Sequence, residues 1–208
     1  MKGAFPLLVA VAAIAVVIDT TDVCSETVAA QRSNVGSLNG RVGATKSGGE
    51  VVPPESATVY VLYSNQMESA RFSHGNDNDT AGGQFHYYLN NLLEKNKELK
   101  SLQKRVHHNP QPRDANQMAA YYLQSVDEAL TRVRSWLTKH PDRSWQMKTI
   151  APDAQGLWSA EGLQPGGYSV VVRGRLPGYD ADWEGIVDLA PGRIISLPLT
   201  RPRFFRHE

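Results

Sequence analysis

The sequence predicts a mainly β fold with an α insertion: an antiparallel β-sandwich of about seven strands, interrupted by an αα-hairpin. Three observations predict it. Stretches rich in β-branched and aromatic residues stand at 57–63 and again from about Trp145 to the end. Between them, residues 84–107 and 115–140 carry helical periodicity. Two strands alone make no stable unit, so the strands on either side of the helices are read as one assembly. Short turns between the later strands favour antiparallel pairing.

The chain opens with Lys2 and an apolar run from Ala4 to Ile18, the pattern of a secretory leader. A membrane-spanning helix needs roughly 20 apolar residues, which this run does not reach. Residues 1–30 are therefore expected to be a signal peptide, with cleavage after Val28-Ala29-Ala30 or at Val23-Cys24-Ser25, and residues 31–37 a polar tether. An uncleaved leader would anchor the chain to a membrane. Either way the protein is expected to be exported, to a periplasm, a cell envelope or the medium. Cys24 is the only cysteine, so no intrachain disulfide is available. Asp22, two places before it, does not suit a lipoprotein cysteine.

Residues 38–42 form a short strand candidate, and 43–55, with Gly48-Gly49 and Pro53-Pro54, read as turn. In 57–63, Val59, Val61 and Tyr63 share one face. Residues 64–83 are polar and read as loop. Phe85, Leu92, Leu99 and Val106 recur every seven residues along 84–107, a stripe suited to packing against another helix. Asn109-Pro110-Gln111-Pro112 ends that helix, and Asp114 with Gln117 resembles a capping box for the next. The second helix carries apolar residues from Met118 to Leu137 over an arc of roughly 140°, wider than one partner helix needs. It is expected to pack on the first helix and on the sheet. After His140-Pro141 come strand candidates at 146–150, 157–160, 168–173, 183–189 and 193–200, and a basic, aromatic tail from 201. The sandwich would then be one discontinuous unit, 38–63 with 146–202, and 64–145 a loop plus helical-hairpin insertion.

The strand regions resemble the carboxypeptidase regulatory-like domain, a transthyretin-like (prealbumin-like) β-sandwich. Asn39-Gly40-Arg41-Val42, a Gly/Pro turn and Ala57-Thr58-Val59-Tyr60-Val61 resemble its opening hairpin. In the second half the match runs through Asp153 and Gly156 at a turn, Trp158 as core aromatic and Leu163 at the sandwich end. It continues through Pro165-Gly166 at a turn and the inward Tyr168, Val170 and Val172. Gly178-Tyr179 and Val187 to Gly192 also fit. The resemblance covers about half of the chain, leaving out the leader and the helices. It implies a scaffold rather than a catalyst. Similar motifs occur in starch-binding-like and collagen-adhesin B-type modules. The transthyretin-like fold also hosts hydroxyisourate hydrolase, whose closing Tyr-Arg-Gly-Ser motif is replaced here by Phe204-Phe205-Arg206-His207-Glu208.

Charge is balanced, 22 Lys+Arg against 21 Asp+Glu, so no global field draws nucleic acid to the chain. His74, His86, His107, His108, His140 and His207 show no zinc-binding spacing. Asn76-Asp77-Asn78-Asp79-Thr80 lacks the glycine and closing glutamate of a calcium loop. Lys95, Lys97, Lys100, Lys104 and Arg105 outnumber Glu94 and Glu98 on the first helix, read as a solvated face. Trp183 and Tyr179 fall in a turn region and are the candidate ligand-binding pair, while Trp158 and Tyr168 alternate with the core. No nucleophile elbow, phosphate loop or paired-carboxylate motif occurs. The expectation is an exported, non-catalytic interaction or structural module needing no cofactor or metal. Its partner would be a protein or cell-envelope component, with carbohydrate binding as the alternative and a small hydrolase as the third reading.

Overall fold

Val59, Tyr60, Val61 and Leu62 put four apolar residues in succession into the middle of one strand, which is the pattern of a strand covered on both faces. The computed structural model, which describes residues 34–64, 79–108, 111–202 and, as backbone, 204–207, shows both coverings. Strands β1 (Gly36–Arg41), β2 (Ala44–Thr45), β3 (Val51–Val52) and β4 (Ser56–Ser64) come first. Helices α1 (Ala81–Lys95), α2 (Lys97–His108) and α3 (Pro112–Lys139) follow, then a 3-10 turn, Pro141–Gln146. The chain continues with β5 (Met147–Ile150), β6 (Leu157–Leu163), β7 (Gly166–Leu176), β8 (Tyr179–Leu189), β9 (Ile194–Ser196) and β10 (Phe204–His207).

The strands make a five-stranded sheet, β10-β8-β7-β4-β5, a three-stranded sheet, β6-β1-β9, and the small hairpin β2-β3. Strands from before and after the helices interleave: β4 lies between β5 and β7, and β1 between β6 and β9. Leu38, Val42, Trp158, Ala160 and Leu163 of the smaller sheet region share one core with Val59, Val61, Val170, Val172 and Trp183 of the larger sheet. On the opposite face of the larger sheet, Tyr60, Leu62 and Val171 share a second core with Phe85 and Leu89 of α1 and Tyr122, Val126, Ala129, Leu130 and Val133 of α3. The chain is therefore of mixed α and β content, with the helices forming a layer over the larger sheet. The wide apolar arc of α3 has the two supports expected of it.

Several boundaries move. Pairing begins at Gly36, inside the stretch read as a tether, and residues 43–55 hold the β2-β3 hairpin. Helix α1 starts at Ala81 because Thr80 caps it, its Oγ1 accepting from the Gly83 amide at 3.1 Å. The single helix read over 84–107 is broken at Asn96, whose Oδ1 accepts the Leu99 amide at 2.9 Å and starts a new helix. The capping box at Asp114 does not form: Gln111 is the N-cap and makes no side-chain capping bond, Pro112 opens α3, and Asp114 pairs with Arg105 at 3.3 Å. Pairing is not wholly antiparallel, since β9 runs parallel to β1. After β8 the chain leaves the larger sheet through Ala190–Arg193 and joins the free side of β1, whose other side is already held by β6. The described residues contain ten strands, not seven, and the tail supplies one of them, β10, paired with β8. The leader, Cys24, His74 and Asn76-Asp77-Asn78 lie outside the described residues.

Two glycines set the turns on which the smaller sheet depends. Gly156 has φ +78°, and a Cβ there would lie 2.2 Å from the Val42 carbonyl oxygen. Asp153 completes that turn, its Oδ1 accepting from the amides of Gln155 (2.9 Å) and Leu157 (2.8 Å). At Gly166, φ +142°, a Cβ would meet the Tyr63 ring at 2.7 Å.

Candidate functional site

The candidate pair from the sequence, Trp183 and Tyr179, is not an exposed platform. Trp183 sits inside β8 rather than in a turn, is 0% exposed, and its indole N–H donates to the Gly43 carbonyl at 2.8 Å. Tyr179 is the first residue of β8 and packs half-buried against the same core. The strand candidate at 183–189 starts four residues late: β8 begins at Tyr179, and Asp180, Asp182 and Glu184 occupy its face turned from the Ala181–Trp183 core. Asp182 there stands opposite Arg173 of β7, and Asp180 opposite Arg175.

Arg173 joins that charged face to the helical layer. Its Nε and Nη2 donate to the two carboxylate oxygens of Asp127 on α3 at 2.7 and 3.1 Å, and its Nη1 donates to the Ala181 carbonyl at 2.7 Å. Burial works against its charge, but the Asp127 bond and the charges of Asp127, Asp182 and Asp180 outweigh it and hold the guanidinium above its ordinary pKa. Arg134 similarly donates to the Tyr60 hydroxyl at 3.0 Å, satisfying the polar end of a core tyrosine.

His86, which shows no zinc-binding spacing in the sequence, belongs to α1 and bonds Ser169 of β7 at 2.9 Å (Nε2 to Oγ). A Ser–His contact invites a nucleophile reading, yet Ser169 is 2% exposed beneath the helices. It is better placed to seat α1 on the sheet than to meet a substrate. Among the described residues no group of three or more His, Cys, Asp or Glu side chains could hold a metal ion.

The open feature is at one edge of the two sheets. Strand β5 ends the larger sheet and β6 ends the smaller one, so two strand edges that are unpaired among the described residues lie side by side. Between them runs an open groove of about 420 Å³, lined by Lys148, Thr149, Ile150, Ser159, Ala160 and Glu161. The Lys148 ammonium crosses it and donates to the Glu161 carbonyl, the kind of lysine that blunts a free strand edge. Lys148 is paired with Val61 of β4, and Tyr63 follows two residues further on the same face. The Tyr63 ring packs at 4.8 Å from Trp145 and 5.5 Å from Tyr168, so an aromatic cluster stands beyond the Lys148 end of the groove. Trp145 is 41% exposed, against buried Trp158 and Trp183. Sequence reasoning passed over Trp145 because it lies on the 3-10 turn leading into β5, and nothing in its neighbours marks the turn as a surface.

Tyr168 holds the inner end of this cluster. Its hydroxyl donates to the Gln164 carbonyl at 2.7 Å, and burial, with Tyr63 beside it, raises its pKa well above that of a free phenol.

The sequence matches no family model and no curated protein. Among solved structures it is similar to a Pseudomonas aeruginosa protein provisionally assigned to carbohydrate binding, at 13% identity over 85% of this chain and 95% of that one, with a TM-score of 0.36. It is also similar to the full-length pilus protein RrgB of Streptococcus pneumoniae, at 7% identity over 79% of this chain and 30% of that one, with a TM-score of 0.29. Scores this low carry no residue-level argument. Among the described residues no helix is long and apolar enough to cross a membrane.

Proposed function

We propose that this chain is an exported, non-catalytic interaction module built on a carboxypeptidase regulatory-like β-sandwich, and that it binds its partner at the β5–β6 edge. The observation that carries the reading is the open groove between these two strand edges, with the Trp145 ring exposed near its Lys148 end. Strand edges offer unsatisfied backbone donors and acceptors, and an exposed indole adds contact area at low entropic cost. The reading is supported by how the reactive side chains are bonded: Ser169 and His86 to each other beneath the helices, Arg173 to Asp127, Asp153 to its own turn.

Carbohydrate is the second reading, favoured by Trp145 alone. An indole face stacks on sugar rings, and Thr149, Ser159 and Glu161 along the groove offer hydrogen bonds to hydroxyls. The test is a glycan array and an extended-peptide array probed with wild type, Trp145→Ala and Lys148→Glu proteins. Signal on either array that falls at least tenfold in both variants supports the edge as the binding site. Signal that neither variant changes moves the site elsewhere. Turnover on isourate-like or peptide-like substrates would overturn the non-catalytic reading.

A further inference from the structure

Helix α2 buries Leu99 and Leu102 against the rest of the helical layer and turns a different chemistry outward. At 100° per residue, Lys97, Lys100, Lys104, His107 and His108 fall within an arc of roughly 100° opposite those leucines. All five are exposed. The arc holds no acidic residue: Glu98 lies outside it, taken by the Tyr121 hydroxyl, and Arg105 lies outside it on Asp114. None of the three lysines enters an ion pair among the described residues. In a chain whose net charge is only +1, an acid-free basic stripe is a local concentration of charge rather than part of a general excess.

We propose that this stripe docks a linear acidic polysaccharide. The proposal goes beyond the interaction-module reading by naming a partner class and a second surface, and it rests on export of the chain. The choice among polyanions follows from what the stripe lacks and how it is spaced. Its lysines, Lys97, Lys100 and Lys104, succeed one another by about 4.5 and 6 Å along the axis, a single file suited to a linear polymer laid along the helix. It presents no apolar side chain for insertion into a bilayer, because Leu99 and Leu102 are buried. It presents no Phe, Tyr or Trp on which nucleic-acid bases would stack.

The test uses heparin as the probe, with dextran, vesicles containing anionic phospholipid, and double-stranded DNA as comparisons. Two triple variants are made in the full chain. One is Lys97→Gln, Lys100→Gln, Lys104→Gln; the other removes the same charge elsewhere, at Lys46→Gln, Lys139→Gln, Arg193→Gln. Wild type should bind heparin and not dextran. Three lysine contacts should weaken that binding about 20–40-fold between 50 and 200 mM salt, by the same counterion release that governs nucleic-acid binding. The stripe variant should lose most of the binding and flatten the salt slope by about 2–3, while the charge-matched control keeps both. Failure of wild type to bind heparin at low salt, or equal loss in the two variants, overturns the stripe as a site. Binding to vesicles or DNA at least as tight as to heparin overturns the choice of polysaccharide. Trp145→Ala should leave heparin binding unchanged, so the stripe and the β5–β6 edge stand or fall separately.

Discussion

Replacing Trp183 by Phe separates a core tryptophan from a ligand platform. The substitution removes the indole N–H bond to the Gly43 carbonyl and leaves that acceptor in a site where Trp183 is 0% exposed. Leaving a buried acceptor unmet costs about 1–3 kcal/mol. The phenyl ring also fills less of a tightly packed space, adding about 1–2 kcal/mol. The sum is about 2–5 kcal/mol, and at roughly 2–4 °C per kcal/mol for a chain of this size the melting temperature should drop by about 4–20 °C. Trp145→Phe, at a ring 41% exposed, should shift it by less than about 2 °C. The assay is thermal unfolding followed by far-ultraviolet circular dichroism, with both variants probed in parallel on the glycan array. The reasoning is refuted if Trp183→Phe melts with wild type, or if it loses ligand while keeping full stability.

Three further expectations follow from the same contacts. Arg173→Met breaks the bidentate bond to Asp127 and takes the cross-strand cation from Asp182; because Asp127 is about half exposed, the expected loss is nearer 2 kcal/mol than the 3–5 of a fully buried pair, read by urea unfolding. A double-mutant cycle with Asp127→Asn should return at least about 1 kcal/mol of coupling, and additivity would refute the link between helix and sheet. The Tyr168 phenol has a folded pKa above the ordinary 10.0, so its contribution is complete below about pH 10 and is lost as pH rises beyond it; the urea midpoint should fall above pH 10, less steeply in Tyr168→Phe, and equal slopes in both would refute it. Deleting residues 79–140 should give an aggregating or molten chain, since Tyr60, Leu62 and Val171 lose their cover at about 1.5–3 kcal/mol for each fully exposed large side chain; a soluble, cooperatively unfolding product, checked by gel filtration and urea melts, would refute it.

The residues that were legible in the sequence are those whose role is local. Asp153 and Gly156 build their turn from bonds within a few positions, and Tyr168, Val170 and Val172 alternate into the inter-sheet core as their spacing implies. The α3 arc announced two supports because a helix has a fixed angular period. What escaped depended on partners distant in sequence. The parallel seat of β9 beside β1 joins residues more than 150 positions apart, and no local pattern fixes its direction. Trp183 read as exposed because its strand was started at 183, and only the pairing with β7 shows that β8 begins at Tyr179. Trp145 was passed over for the converse reason: its exposure comes from the end of a sheet, not from its neighbours.

One sequence signal was present and carried more than the turn motifs. The unbroken apolar run of β4 and the Val170-Val171-Val172 run of β7 contradict a sheet with one solvated face. A strand of a two-layer sandwich should alternate, as β6 does over its first five residues, with Trp158 and Ala160 inward and Leu157, Ser159 and Glu161 outward. The two apolar runs therefore demanded a third layer, and the helices between β4 and β5 were the available segment. It follows that these helices are part of the core and not an appendage carried for its surface alone. Any function assigned to them has to reside on what they leave exposed, which on α2 is the lysine stripe, while the free strand edges that they do not reach stay open for a second partner.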